Sequence, residues 1–569
     1  MKEKIKNLIK DALEKIGTEE VDFIIEHPDD FKNGDFSSNV AMVCAKNAKI
    51  NPKELAEKLK TELDKNLPEE ITKVEAVGGF LNFYLSRKYF SKSIEEILSK
   101  GKEYGKNELL LGKKIMVEYT DPNPFKPFHI GHLMTNAVGE SIARILEHSG
   151  AEVARANYQG DVGLHVAKAI YGLFDNEKLQ SRAGSVALQA GNIGRAYSRG
   201  AELYEIDEKA KKEIDEINKK LYARNDDKIN EIYKWGFDVT MEAFEDIYKI
   251  LGTKFDFYFL ESAMASIGEE IVRASTGKVF EESDGAVVFK AEKYDPKLHT
   301  RVFITSAGLP TYEAKELGLT EEKFKTDPAM DLSITITANE QMDYMRVVAK
   351  AISLIYPEHE NKMKHITHGM MRLASGKMGS RKGNVITGES LLNEVRDTIL
   401  DKITDRGFSP EEEEKVATDV GVSAIKYSIL KQSTGGDIIY DFEKSISFEG
   451  DSGPYLQYSY TRANSVLEKA QKENIQPDFE NVPEEIFELE KLLYKFPRIV
   501  ARAASEYEPH HIANYLIEIA RSFNSFYGNN LIVSKEDQYS PYKVSLTYAF
   551  SFVMKNGLHL LGIEVPRKM

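Results

Sequence analysis

Between Lys113 and Thr120 apolar side chains fall at every second position, Ile115, Val117 and Tyr119, which is the period of a strand. From Leu133 to His148 the spacing becomes helical, with Val138, Ile142, Ile145 and Leu146 on one stripe. Ser149-Gly150 interrupts it, and Glu152 to Tyr158 reads as a second strand. The three segments predict a βαβ unit. Strand signals return at Gly285–Phe289, Arg301–Thr305 and Leu332–Thr337, and these are expected to supply the second half of one sheet. Ahead of the βαβ unit, residues 1–88 read as a small α+β unit, with a turn at Gly34–Asn39, a helix at Pro52–Leu63 and a strand-rich close at Val74–Leu85. The stretch Glu202–Lys249 is charged at helical spacing and carries Trp235; it predicts long solvated helices in an insertion. Helical patterns then follow at Ser390–Ile403, Asp419–Lys431, Tyr455–Gln471, Pro483–Glu506, Pro509–Phe526 and Tyr542–Leu561. No solenoid repeat or low-complexity tract interrupts them.

The expected architecture is therefore an α/β Rossmann-like nucleotide-binding domain over residues 110–390, with an inserted helical or connective segment at about 170–300. An N-terminal α+β domain precedes it, and a helical region (391–447) and an all-α domain (448–569) follow. A chain of 569 residues is too long for one hydrophobic core, which fits several domains. The start, Met1-Lys2-Glu3-Lys4, leads into an amphipathic acidic segment, not a targeting peptide, and no apolar run approaches a membrane span. Cys44 is the single cysteine, which rules out disulfides within the chain and four-cysteine zinc ribbons; a reducing cytoplasm is expected. The net charge of −15 gives a nucleic acid no long-range attraction, so such a partner would need local basic patches, as around Lys377, Arg381 and Lys382.

Candidate chemistry sits at the first strand-to-helix turn, Pro124-Phe125-Lys126-Pro127-Phe128-His129-Ile130-Gly131-His132. Helix N-termini at such turns favour phosphate. About 250 residues later a basic, Gly-flanked loop follows, Gly376-Lys377-Met378-Gly379-Ser380-Arg381-Lys382-Gly383-Asn384. The pair resembles the two signatures of class I aminoacyl-tRNA synthetases. Val117–Asn123, Asn157–Gly163, Gly308–Leu317 and Phe448–Tyr458 narrow the likeness to arginyl-tRNA synthetases, as do Gly34–Ala41 and Glu508–Tyr527 near the two ends.

The resemblance implies an enzyme that joins arginine to its tRNA through arginyl-adenylate, with ATP as a substrate accompanied by Mg2+, no zinc, no membrane partner and a monomeric state. It implies that the domain at 1–88 touches tRNA, that 391–447 meets its stem, and that 448–569 takes the anticodon. Residues it places at the phosphates are His129, His132, Lys126, Lys377 and Lys382, with Phe128, Gly131, Met378 and Ser380 at the nucleotide. Around arginine it places Glu118, Asn123, Tyr312, Glu316 and Gln341. Three departures stand out. Ser380 occupies the position of a second loop lysine, and Lys126, three residues before His129, is expected to restore that charge. Glu316 replaces an aspartate, moving the carboxylate by about 1.5 Å, and Ala307 removes another. Candidate tRNA contacts in the helical domain are Tyr455, Tyr458, Arg462, Arg498, Arg502, Asn514 and Tyr527. Cysteinyl and methionyl enzymes would keep both signatures, but their cysteine-rich zinc sites do not fit one cysteine.

Overall fold

The computed structural model describes residues 1–569 except 20, 29, 375–386 and 405–406. The chain divides into two compact units. The first comprises residues 1–104, 462–496 and 518–554, and the second residues 105–461, 497–517 and 555–569. The helical region beyond residue 448 thus contributes to both.

In the first unit, strands β1 (Ile25–Glu26), β2 (Phe36–Ser38), β3 (Ile71–Val77) and β4 (Phe80–Leu85) form an antiparallel sheet in the order β1-β2-β4-β3. Helices Lys2–Lys15 and Pro52–Leu63 bury Ile5, Ile9, Leu55 and Leu59 in its core. The Pro52 helix starts as its sequence predicts, with the Asn51 side chain accepting from Lys53 N–H and proline in the first turn.

The second unit is built on a parallel sheet of β5 (Lys114–Glu118), β6 (Glu152–Gln159), β7 (Phe257–Leu260), β11 (Leu332–Ala338) and β12 (Met363–His368). Its order is β12-β11-β5-β6-β7. The chain runs outward from β5 in one direction and then restarts at β11 on the other side. That reversal opens a crevice at the carboxyl ends of β5 and β11, where doubly wound folds bind ligands. Ile115, Met116 and Val117 are buried, as expected of a strand covered on both faces. Helix Ile130–His148 leaves the β5 end and packs close to the chain behind it. A Cβ on Gly139 would lie 2.2 Å from Tyr119 Cγ, so only glycine allows that approach.

Two further strand groups complete the unit: an antiparallel sheet of β8 (Glu281–Ser283), β9 (Ala286–Phe289) and β10 (Arg301–Ile304), and the parallel pair β13 (Met371–Leu373) with β14 (Ile438–Tyr440). This corrects the expectation that the segments around 285–289 and 301–305 extend the main sheet. The reason is local. Asp284 and Gly285 both take positive φ (50° and 78°), the two-residue hairpin conformation that folds β9 back on β8. Only the 332–337 signal joins the main sheet. β7 also lies inside the segment expected to be an insertion.

The charged helices, Val186–Ile206, Glu208–Ala223 and Asp227–Leu251, are solvated on one face but bury Ile193, Ile214, Leu221 and Ile229 on the other. The helix expected over Pro483–Glu506 is two, Glu488–Leu493 and Phe496–Glu506, with Pro497 in the first turn of the second. In the second unit the backbone near residue 560 is held by side chains from earlier helices of the same unit. Arg144 donates to His559 O, Ser141 to Leu560 O, Lys426 to Gly562 O and Gln457 to Glu564 O, at 2.6–3.0 Å.

Candidate active site

The turn from β5 into helix Ile130–His148 is strained. Thr120, Asp121 and Phe125 all adopt positive φ (81°, 48° and 67°), a conformation that costs side-chain-bearing residues about 1–3 kcal/mol each. Such strain gathers where backbone must be aimed at a ligand.

His129 is the N-cap of that helix, and His132 is its third residue. The two cap each other. His132 N–H donates to His129 Nδ1 (3.3 Å), and His129 N–H donates to His132 Nδ1 (3.2 Å). The rings stack with centroids 3.4 Å apart. An Nδ1 that accepts carries no proton, so each neutral ring holds its hydrogen on Nε2, where it is a donor. Loss of hydration and then the Lys126 charge lower the His129 pKa. His132, buried, is pushed well down by burial, His129 and Lys126 in that order. Both rings are therefore neutral donors at pH 7, set at the positive end of a helix dipole.

Gly131 lies under the pair: a Cβ there would be 2.9 Å from His129 Cε1. Phe128 is buried (2% exposed), with its ring near those of His132, Phe244 and Tyr248. It supports the histidines from below. Lys126 is half-buried, with Nζ 5.4 Å from the Tyr197 ring centre. Burial, then Lys168, lowers its pKa. Lys377, Met378, Ser380 and Lys382 fall in 375–386, outside the described residues. The chain on either side is anchored. Ala374 N–H donates to Tyr440 O (2.9 Å), Thr387 forms an antiparallel bridge with His129, and Gly388 N–H donates to Phe128 O (2.8 Å).

At the carboxyl end of β5 lies an acidic pocket. Glu118 is 2% exposed, and Lys323 Nζ lies 2.5 Å from its Oε2, at an angle outside that of a hydrogen bond. Glu316 accepts from Tyr344 Oη (3.4 Å), and its pKa is pushed up to about 8 by burial first and by Glu118 second. Asp121 accepts from Tyr158 N–H (2.7 Å), and burial with the Glu118 charge raises its carboxyl. Tyr158 Oη is buried without a hydrogen-bond partner, in the field of Glu316, Glu261 and Glu118. Three carboxyls face one lysine, and Glu118 Oε2 and Tyr158 Oη have no hydrogen-bond partner. A buried polar group left this way calls for a ligand donor or water. A planar cation with several N–H groups fits it.

The remaining sequence-derived residues are spread around the crevice. Asn123 Oδ1 accepts from Gly160 N–H (3.1 Å), tying the β5 and β6 ends together. Tyr312 is 66% exposed at the start of helix Tyr312–Thr326, 5.1 Å in ring distance from Lys315 Nζ, and Gln341 is exposed after β11. Sequence reasoning passed over Lys323, Asp121, Tyr158 and Tyr344. Lys323 had a signal: it stands seven residues, two helical turns, after Glu316 and so shares its face. Among the tRNA candidates, Arg498, Arg502 and Asn514 are exposed, although Arg502 pairs with Glu506. Arg462 donates to Asn524 and sits 5.1 Å from the Tyr527 ring, Tyr527 is 43% exposed, and Tyr455 and Tyr458 are half-buried.

Comparison with known proteins bears on the family of the whole chain. A family model described as the tRNA synthetases class I (R) catalytic domain matches residues 93–442. The arginyl tRNA synthetase N terminal domain matches 3–85, and the DALR anticodon binding domain matches 456–569. The arginine–tRNA ligase of Clostridium perfringens is 32% identical over 568 residues, covering 97% of each chain. That of Halothermothrix orenii is 30% identical, covering 100% of this chain and 99% of its own. The arginyl-tRNA synthetase structure from Thermus thermophilus superposes with a TM-score of 0.80 at 25% identity over 100% of both chains. That from Plasmodium falciparum, at 19% identity and a TM-score of 0.75 over 100% of this chain and 99% of its own, shares the fold. With a catalytic-domain match across most of its length and relatives aligned end to end, this chain belongs to the arginyl-tRNA synthetases of class I.

Proposed function

We propose that the chain is an arginine–tRNA ligase whose two steps share the crevice at the ends of β5 and β11. In the first, an arginine carboxylate oxygen attacks the α-phosphorus of ATP, the bond to the β-phosphate oxygen breaks, and pyrophosphate leaves with that electron pair. In the second, a 3′-terminal ribose hydroxyl of the tRNA attacks the carbonyl carbon of arginyl-adenylate. AMP leaves, and the hydroxyl proton is lost.

Phosphoryl transfer of this kind depends on positioning and on charge neutralisation. His129 and His132 would present Nε2–H donors to phosphate oxygens, and Lys126 would add a positive charge three residues away. The described chain resumes at Thr387, bridged to His129, which supports a role for Lys377 and Lys382 at the leaving pyrophosphate. Mg2+ would enter with the nucleotide and neutralise its phosphates. Glu118 and Glu316 would pair with the guanidinium, with Asn123, Tyr312 and Gln341 around the rest of the amino acid. The exposed Arg498, Arg502 and Asn514 and the partly exposed Tyr527 would meet tRNA. We place the enzyme in the cytoplasm as a monomer, in keeping with its one, buried cysteine.

The observation that carries the reading is the pairing of two mutually capped neutral histidines with an under-satisfied acidic pocket at one switch point. The test is ATP–pyrophosphate exchange with arginine, run with and without arginine tRNA. Arginine-dependent exchange is expected, at least when tRNA is present. No exchange under either condition, or equal exchange with another amino acid, would overturn it.

A further inference from the structure

Lys323 lies on the floor of the pocket that the preceding reading gives to arginine, and nothing in that reading uses it. It is 4% exposed, on the same helix as Glu316. Its ammonium stands 2.5 Å from Glu118 Oε2 and 3.3 Å from Thr335 Oγ1. It forms a buried ion pair with Glu118. The pocket therefore holds a resident cation before any substrate enters.

We propose that Lys323 is a specificity-determining residue: it fills the position on Glu118 that a substrate ammonium would take, and so turns an acidic pocket into one that prefers a planar guanidinium over an ω-amino group. The proposal rests on the arginine-activating reading above. Its logic is geometric. An ammonium is a compact point charge that needs one well-placed carboxylate. Glu118 Oε2 already has such a charge at contact distance. The acceptors beyond that contact are spread out: the other Glu118 oxygen, Glu316 two turns back on the Lys323 helix, Asp121 on the strained loop and the unpartnered Tyr158 Oη on β6. Separated acceptors of this kind suit a fork of five N–H donors, which bridges them, better than one point charge. Without Lys323, Glu118 would be an unpaired buried carboxylate, and lysine or ornithine could bring the missing ammonium.

Lys323 also sets the charge of its neighbours. It lowers the carboxyl pKa of both Glu316 and Asp121, against burial and Glu118, which raise them. The other groups facing Glu316 are Tyr344 on helix Met342–Ile355, which favours its ionised form, and Glu261 on helix Glu261–Ala274, which opposes it; Lys315 pairs with Glu261.

The test compares wild type, Lys323→Gln, Lys323→Met and Lys323→Arg in amino-acid-dependent ATP–pyrophosphate exchange with arginine, lysine and ornithine, in the presence of tRNA. The readout is the kcat/KM ratio of arginine to each ω-amino acid, which a loss of folded enzyme does not move. We expect the ratio to fall roughly 10-fold or more in the Gln and Met variants and to stay at the wild-type value in Lys323→Arg. The glutamine variant keeps side-chain volume and a donor, so it covers a methionine variant that does not fold. The pH at which arginine KM levels off should also move upward in both neutral variants. Unchanged ratios in a neutral variant, with wild type active on arginine, would overturn the proposal. Wild type inactive on arginine would instead overturn the functional reading beneath it.

Discussion

Replacing His129 by asparagine separates the two things this histidine does. As N-cap it accepts the His132 N–H, and asparagine is among the best residues for that task. As a donor it offers Nε2–H, which asparagine does not place at the same reach. His129→Asn should therefore keep the cap and lose the phosphate contact, whereas His129→Ala loses both. The cap is worth about 1 kcal/mol, and at 3.3 Å it belongs toward the weaker end of that range. A donor aimed at charge that develops in the transition state is worth about 2.7–4 kcal/mol, or ~10²- to 10³-fold in rate. Both variants should lose about that much in the first-order rate of arginyl-adenylate formation. Only His129→Ala should also melt earlier. The assay is single-turnover adenylation at saturating ATP and arginine with tRNA present, beside a thermal melt of each variant. Because both histidine pKa values are lowered, the rings stay neutral from pH 6.5 upward, and the rate deficit should be the same across that range. A His129→Asn enzyme that forms adenylate within threefold of wild type, while melting normally, would refute the donor role.

Three further outcomes follow from other parts of the structure. Lys126→Ala should slow adenylation by roughly 10-fold or more, and Ser380→Lys in that background should recover part of the rate, because both cations would address the same phosphate charge; unchanged single-turnover kinetics in Lys126→Ala would end that assignment. Glu316 holds a proton up to about pH 8 in the empty pocket, yet a guanidinium binds its ionised form, so arginine KM should fall as pH rises toward 8 and level off above it. Glu316→Gln should flatten that profile, as read from exchange kinetics between pH 6 and 9. Lys426, fully buried, donates to Leu251 O (2.6 Å) and Gly562 O (2.7 Å), and burial lowers its pKa to about 7. The unfolded chain then binds more protons than the folded one between about pH 7 and 10.5, so this group adds stability as pH rises through that window. Lys426→Met should lack this gain and should strand two carbonyls at a cost of about 1–3 kcal/mol each; melting curves of both proteins from pH 7 to 9.5 should diverge with pH.

The sequence alone determined the elements that rest on short-range periodicity and on motif residues. The alternation of Ile115, Val117 and Tyr119, the helical stripe through Ile142 and Ile145, and the histidines between them made the βαβ unit and its histidine-bearing turn legible, because each depends on neighbours a few residues apart. It also pointed to Glu118 and Glu316, through resemblance, and the fold buries these two carboxyls near each other. Where strands pair was another matter. Segments 285–289 and 301–305 carry the same strand signal as 332–337, and only the Asp284-Gly285 hairpin and its partners decide that they leave the main sheet.

Tertiary structure likewise decided the chemical states within the site. Nothing local says that the two histidines cap each other and so keep their Nε2 protons. Nor does local sequence reveal that Lys323, remote in sequence from Glu118, closes on it, or that Lys426 finds carbonyls at residues 251 and 562. These outcomes depend on which buried charges and carbonyls meet once water is excluded. That is set by how distant elements pack, while the pattern of each element records only which of its faces turns inward.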